Sequence, residues 1–323
     1  MSQKVIVAIT TYNLKDYIRQ CLDSVLSQET SFEFSLIIAD DCSKDGTVEI
    51  LKEYKAKYPN KIELILNPKN LGSLATSNLI FDKIDCEYFS FLDGDDYWLD
   101  NKRLQKQVDF LDSHPEYTLC GGNTHYLVND KIASDVVKKN LTNKSYTFDD
   151  FINDKCPFVH TSSLLVRNVI FKDGLPECYK TSVNTFENCA LRGEDFRRLI
   201  HHEKGKLFVS NEYYSVYRIH KGGTWQGASS VHKDIESAIA ANFYRKYFGD
   251  NYKDFFERFH KAAYKQLLKT LLLEDSLYNG YTLSEKDNQL LQQYLNDIRV
   301  DQPIKKQGKL FKFLTKVIFK IFK

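Results

Sequence analysis

An apolar run from Val5 to Ile9 ends in the polar loop Thr10-Thr11-Tyr12-Asn13, and this change from apolar run to polar loop recurs three times before residue 100. Runs of this kind, apolar at every position, mark strands covered on both faces, as in parallel sheets. Between them the period changes. Leu14, Tyr17, Ile18, Cys21, Leu22, Val25 and Leu26 recur at helical spacing, and Phe34 to Ala39 returns to the strand pattern. The alternation continues with a helix at Thr47 to Tyr58, a strand at Ile62 to Leu66, a helix at Ser73 to Ile84 and a strand at Tyr88 to Leu92. Strands joined by crossover helices predict an α/β, doubly wound, mostly parallel sheet. Ligands of such sheets bind outside the carboxyl ends of the strands. The segments to inspect are therefore 10–13, 40–46, 67–72 and 93–96, all polar and two of them dense in carboxylates.

Further along, the pattern is less regular. Short strands are predicted at Val159 to Val166 and Leu207 to Val209, a helix at about Glu194 to Glu203, and mainly helix after Val231. With 323 residues, 42% hydrophobic and 27% charged, the chain can bury a real core, which argues against a disordered, fibrous or polytopic membrane protein. Seven scattered cysteines without a C-x-x-C pair fit a reducing compartment. No stretch of about 18 apolar residues occurs, and Val5 to Ile9 is too short for a signal-peptide core, so neither membrane spanning nor export is expected.

The motifs narrow the chemistry. G-x-G-x-x-G does not follow the first strand and the P-loop pattern is absent, which disfavours dinucleotide enzymes and P-loop NTPases. A phosphate-bearing ligand would then need a cation to offset its charge. Asp93-Gly94-Asp95-Asp96, directly after the fourth strand, supplies three carboxylates in four residues. Hard cations such as Mg²⁺ or Mn²⁺ take one or two carboxylates plus substrate phosphates, whereas the bland alternative is an acidic turn. An EF-hand is excluded because Trp98 holds the sixth loop position. In Asp40-Asp41-Cys42-Ser43-Lys44-Asp45-Gly46-Thr47, Asp45 or Thr47 reads as a helix cap. Asp41 instead reads as an acceptor for a base or ribose.

These stretches, with Ile9-Thr10-Thr11-Tyr12-Asn13, Cys21-Leu22-Asp23-Ser24-Val25-Leu26-Ser27-Gln28 and Asn70-Leu71-Gly72, resemble family 2 of the inverting nucleotide-sugar glycosyltransferases over about the first 100 residues, in the family's order. The resemblance implies a Rossmann-like GT-A fold and a metal-dependent transferase of hexosyl or N-acetylhexosaminyl type, using a UDP-sugar by default. It also implies that Thr10, Tyr12, Asp41 and Asn70 line the nucleoside site, that Asp93 lies near ribose and sugar, and that Asp95 is on Mn²⁺ or Mg²⁺. Cys42 departs from the family, which usually has glycine or another small residue there.

By the same resemblance, Gly193-Glu194-Asp195 carries the acid-base carboxylate: Asp195 is expected to be the base, with Glu194 positioning it or the acceptor. Single displacement needs such a base to take the acceptor hydroxyl's proton; acidic residues are also common at helix starts for electrostatic reasons alone. The segment Tyr217 to Trp225 resembles one that closes over the donor diphosphate. It makes His220 a candidate metal ligand, Arg218 or Lys221 candidate phosphate contacts, and Trp225 a sugar-stacking or core residue. His201 and His202, adjacent on a helix, point apart and should not share a metal.

The net charge of +2 hides a segregation. Residues 303–323 carry seven lysines and no acid, leaving 38 basic against 43 acidic residues elsewhere. Leu310, Phe311, Leu314, Val317, Ile318 and Ile321 fall at helical spacing largely opposite the lysines, which suits a helix on an anionic membrane surface. A partner protein, nucleic acid or packing on the body are the alternatives, and the mildly acidic remainder speaks against nucleic acid.

The expected organisation is a GT-A domain at 1–230, with a nucleotide-sugar half at 1–120 and an acceptor half at 121–230. A helical region follows at 231–302, and then the basic amphipathic segment. The expected enzyme is cytoplasmic, peripheral to the inner membrane face, and glycosylates a glycan or lipid-linked acceptor in surface polysaccharide synthesis. A non-catalytic nucleotide-sugar binder and a sugar nucleotidyltransferase are the other readings; the latter usually has a glycine-rich, arginine-containing loop where this chain has Thr10 to Asn13.

Overall fold

The computed structural model describes residues 3–220, 222–223, 227–273 and 283–301, so Lys221, Trp225 and the basic segment 303–323 lie outside the described residues. The chain forms two compact units, one of Met1–Val183 with Arg192–Lys221, the other of Asn184–Leu191 with Gly222–Lys323.

The first unit begins with β1 (Gln3–Thr11), α1 (Ile18–Leu26), β2 (Phe34–Asp40), α2 (Thr47–Lys57), β3 (Ile62–Leu66), α3 (Ser73–Phe81) and β4 (Cys86–Asp93). After β5 (Tyr97–Trp98) come α4 (Arg103–Ser113), β6 (Tyr117–Val128), β7 (Lys131–Asp135), β8 (Lys144–Tyr146), α5 (Phe148–Ile152), β9 (Leu165–Arg167) and α6 (Glu177–Thr181). α7 (Asn188–Arg192) runs across the division in the chain, and α8 (Glu194–His202) and β10 (Lys206–Ile219) complete the unit. The sheet order is β3-β2-β1-β4-β9-β6-β10-β5, with β7 on β6 and β8 on β10.

β3, β2, β1 and β4 are mutually parallel, as the alternating periods predict. Val5, Val7 and Ile9 of β1 are fully buried, as are Ile18, Cys21, Leu22 and Val25 of α1, the residues whose spacing marked the helix. The fold is α/β with a mostly parallel central sheet, followed by a helical C-terminal region.

Two elements differ from the sequence expectation. Val159 to Val166 is mostly a tight turn, Thr161–Ser163, with only Leu165–Arg167 in the sheet, where β9 runs antiparallel to β4 and β6. Its polar groups are taken by a buried arginine described below. Conversely, Leu207 to Val209 is only the start of β10. Register shifts between Val209 and Ser215 turn Asn211 and Glu212 to solvent while the strand continues to Ile219.

In the second unit, the helical segment α9 (Ser230–Leu273) breaks at Tyr252 and pairs with α10 (Glu285–Asp301). Val231, Ile235, Leu267, Leu291, Tyr294 and Leu295 form its core. His232 joins the two helices through Asp287, its other ring nitrogen lying 2.9 Å from Glu236. Among the described residues, no helix is long and apolar enough to cross a membrane.

Candidate active site

Register fixes the site. Thr10 is level with Ala39 and with Asp93, and Asp40 with Leu66, so the carboxyl ends of β1, β2, β3 and β4 align on one edge. The first two loops are tied together: Asn13 N donates to Ser43 Oγ (2.7 Å), Leu14 N to Thr47 Oγ1 (2.9 Å), and Lys44 N to Asn13 Oδ1 (2.8 Å). Lys15 N donates to Asp45 Oδ2 at 2.9 Å. Asp45 also accepts from Thr47 N at 3.0 Å, while the capping position is Gly46, in the left-handed region.

Asp41 is 6% exposed and gathers the next loop: its carboxylate accepts from Asn67 Nδ2 (3.0 Å), Leu71 N (2.7 Å) and Gly72 N (2.9 Å). Asn70 Nδ2 reaches the Asp41 carbonyl at 3.4 Å. Tyr12, 48% exposed, stands at the rim.

Cys42 adopts φ 69°, a conformation that costs an L-residue about 1–2 kcal/mol and glycine almost nothing. Cys42→Gly is therefore expected to stabilise the fold by about 1 kcal/mol, read as a rise in the urea midpoint with unchanged slope. A lowered midpoint would mean that the thiol's packing outweighs the backbone strain.

Gly94 sits in a tight space: a Cβ there would lie 3.1 Å from side-chain atoms of Thr11, Leu14 and Ile18. The close approach brings the acidic loop against β1, with Gly94 N donating to Thr10 O (2.9 Å) and Thr10 Oγ1 to Asp93 Oδ1 (3.1 Å). Burial, reinforced by Asp95, pushes the Asp93 carboxyl up to about 6. Asp96 is raised as well, by burial and then by Asp95 and Asp93. Its Oδ1 accepts from Arg218 N at 3.0 Å, whereas its buried Oδ2 has no hydrogen-bond partner among the described residues.

Asp95 Oδ2 lies 3.0 Å from His220 Nε2, and Arg218 Nε donates to the Asp95 carbonyl at 3.1 Å. The tip of Arg218 goes on to Gln20 Oε1 at 2.6 Å, while Tyr17 packs against both Arg218 and His220. The two side chains that the resemblance would place on a metal thus contact each other directly.

Among the described residues, no group of three or more His, Cys, Asp or Glu side chains is arranged to hold a metal. Two donors on one edge still suit a hard cation that takes its remaining ligands from substrate phosphates. Raised carboxyls beside an unpartnered buried carboxylate oxygen are what a cation would relieve.

Glu194 and Asp195 open α8, 100 residues along the chain from the acidic loop, yet Glu194's charge acts on both Asp93 and Asp96. The two carboxylates differ. Glu194 accepts from Thr161 N, and burial, then Asp195, pushes it up to about 7. The Asp195 side chain is 54% exposed and accepts from Arg198 Nη2 at 2.9 Å.

Sequence reasoning missed the Thr161–Ser163 turn that supports this arrangement. Its His160 ring is buried 4.0 Å from Asp96 Oδ2 and is pushed down to about 4 by burial. Arg103, fully buried, donates to the Ser162 carbonyl, to Leu164 O (3.0 Å), to Ser90 Oγ (2.9 Å) and to Gln107 Oε1 (2.8 Å). Its guanidinium packs 3.9 Å from the Trp98 ring centroid. The available signal was a lone histidine and a run of hydroxyls inside an apolar segment. His201 and His202 bond separately, to Arg197 O and Tyr146 O.

The glycosyl transferase family 2 model matches residues 6–175. An uncharacterized protein of Mycobacterium tuberculosis is 31% identical over 223 residues, 69% of this chain and 60% of that protein, so the chain spans less than two thirds of this relative. The putative glycosyltransferase EpsE of Bacillus subtilis is 38% identical over 36% of this chain and 42% of its own. Among solved structures, Staphylococcus aureus TarS 1-349 in complex with UDP-GlcNAc superposes with a TM-score of 0.52 at 18% identity, covering 92% of this chain and 88% of that one. The mannosyltransferase PcManGT from Pyrobaculum calidifontis, solved with GDP-Man and Mn²⁺, gives 0.50 at 15% identity over 95% and 89%. With its motifs in order along the aligned strand ends and the family model spanning more than half of the sequence, this chain belongs to glycosyl transferase family 2.

Proposed function

We propose that the protein transfers a hexosyl or N-acetylhexosaminyl group, with inversion, from a UDP-sugar to a hydroxyl of a glycan or lipid-linked acceptor in surface polysaccharide synthesis. The observation that carries this reading is the meeting of the Asp93–Asp96 loop with Arg218 and His220, with Glu194 near enough for its charge to act on Asp93 and Asp96. Relatives whose names refer to teichuronic acid biosynthesis and to poly(ribitol-phosphate) glycosylation support the polysaccharide setting.

Thr10, Tyr12, Asp41 and Asn70 would hold the nucleoside, and Asp93 would lie near the ribose and sugar. Mn²⁺ or Mg²⁺ would be held by Asp95 and His220, and when bound it offsets the charge of the departing diphosphate. Arg218 would donate to phosphate oxygens. The acceptor oxygen attacks the anomeric carbon, the bond from that carbon to the diphosphate oxygen breaks with its electron pair leaving on the nucleotide, and the acceptor's proton passes to Asp195. Glu194, held by Thr161 N, sets the start of α8 and so the direction of Asp195. The test is a panel of nucleotide sugars with Mn²⁺, scored by hydrolysis and thermal shift. Response to a UDP-sugar supports the assignment, and no response to any donor refutes it.

The basic segment 303–323 is proposed as a peripheral anchor on an anionic membrane surface, each lysine there contributing roughly 1 kcal/mol. Deleting it is expected to abolish salt-sensitive binding to phosphatidylserine-containing liposomes in a flotation assay. Equal flotation of the truncated protein would end that proposal.

A further inference from the structure

We infer that the second half of α9 is a membrane-docking face: Arg258, Lys261, Lys265 and Lys269 lie against the phosphates of an anionic bilayer, and Phe259 enters its headgroup layer. The inference rests on the reading that the enzyme works at an anionic membrane surface, and adds a second contact made by residues other than 303–323.

After the kink at Tyr252 the helix runs unbroken to Leu273. Steps of three, four and four residues bring Arg258, Lys261, Lys265 and Lys269 to one side of it, over about 16 Å of helix axis. Tyr264, Leu267, Leu268 and Leu271 take the other side, in the core of the second unit. All four basic side chains are exposed, and none has an ion pair among the described residues. Before the kink the pattern is different: Arg245 Nη1 lies 3.3 Å from Glu257, and Lys246 Nζ lies 2.6 Å from Asp297. The fold therefore uses the charges of the first half and leaves those of the second half free.

A solvated helix face also carries lysines, and the aromatic edge of this one separates the two cases. Phe255 and Phe259 stack at 6.0 Å between centroids beside the stripe, with Phe259 42% exposed. Water gives an open phenyl ring nothing, whereas the headgroup layer takes apolar rings and cationic groups together. Charge narrows the occupant further. Asp254 is the exposed acid of this half, at its kinked end, and Glu257 is held by Arg245. Residues 303–323 are themselves basic, so like charge keeps them off the stripe. They belong to the same unit as α9. Two basic contacts on one unit suit one extended anionic surface, and once either is seated the other binds as an intramolecular event. Stable peripheral attachment generally takes two such signals.

The test is flotation of the full chain, across a KCl series, with phosphatidylcholine vesicles with and without phosphatidylserine. Lys261→Gln, Lys265→Gln and Lys269→Gln together are expected to lower the partition coefficient about a hundredfold and to flatten its salt dependence. Phe259→Ala should lower it about threefold at every salt concentration, and Phe259→Trp should restore it. Lys131→Gln, Lys138→Gln and Lys139→Gln together remove equal charge from exposed positions of the first unit, and should change it less than about threefold. All of these positions are exposed, so the urea midpoint should not move. Undiminished flotation of the α9 lysine variant, an equal loss in the first-unit variant, an unmoved Phe259→Ala, or equal flotation without phosphatidylserine overturns the inference. Binding to double-stranded DNA or to polyglutamate without binding to vesicles overturns it as well. Loss of flotation on deleting 303–323, with none in the α9 lysine variant, removes the face and keeps the tail as anchor. The reverse result keeps the face and removes the tail, and no flotation of the unsubstituted chain removes both.

Discussion

Asp195→Asn is expected to leave UDP-sugar affinity intact and to lower kcat by about 10²- to 10⁴-fold, the usual contribution of a positioned general base. The amide keeps the shape of the side chain and its acceptor oxygen toward Arg198, so the start of α8 should hold. It cannot take the proton that the acceptor hydroxyl sheds as it attacks. Glu194→Gln is the informative companion, since the amide oxygen can still accept from Thr161 N. A larger kcat loss in Glu194→Gln than in Asp195→Asn, measured under saturating donor, would exchange the two roles. Unchanged turnover in Asp195→Asn would remove it from catalysis.

Asp95→Ala has the second large effect: loss of Mn²⁺-dependent UDP binding in calorimetry. The loss should exceed the roughly 10- to 100-fold that removing an outer-shell partner costs a metal site, because Asp95 and His220 would be the cation's own protein ligands. Without the cation, the diphosphate would face the raised, enclosed carboxyls of Asp93 and Asp96. Metal-independent UDP affinity in the unsubstituted protein would count against the site as proposed.

The first four strands and their exit loops were legible because their pattern is local in sequence. Each parallel strand is a continuous apolar run, and each run hands over directly to the loop that bears the functional groups. Gly94 and Asp95 could be read from five consecutive residues, and only the reason for the glycine, the contact with Thr11, Leu14 and Ile18, needed coordinates. The support for Glu194 and Asp195 was not legible for the converse reason. It depends on Arg103, on the Thr161–Ser163 turn and on β9, which come from separate stretches and meet only because β9 is inserted between β4 and β6. A buried arginine whose hydrogen bonds go to carbonyls, a hydroxyl and an amide leaves no periodic trace in a sequence.

From sequence alone came the parallel βα alternation, the strand-end motifs and the segregation of positive charge into residues 303–323, since each is a matter of neighbouring residues and their spacing. Tertiary structure alone distinguished the two carboxylates of the Glu194–Asp195 pair. Burial raises Glu194 and a backbone donor holds it, while the Asp195 carboxylate stays open to solvent, because solvation is set by what packs against a residue and not by its place in the chain.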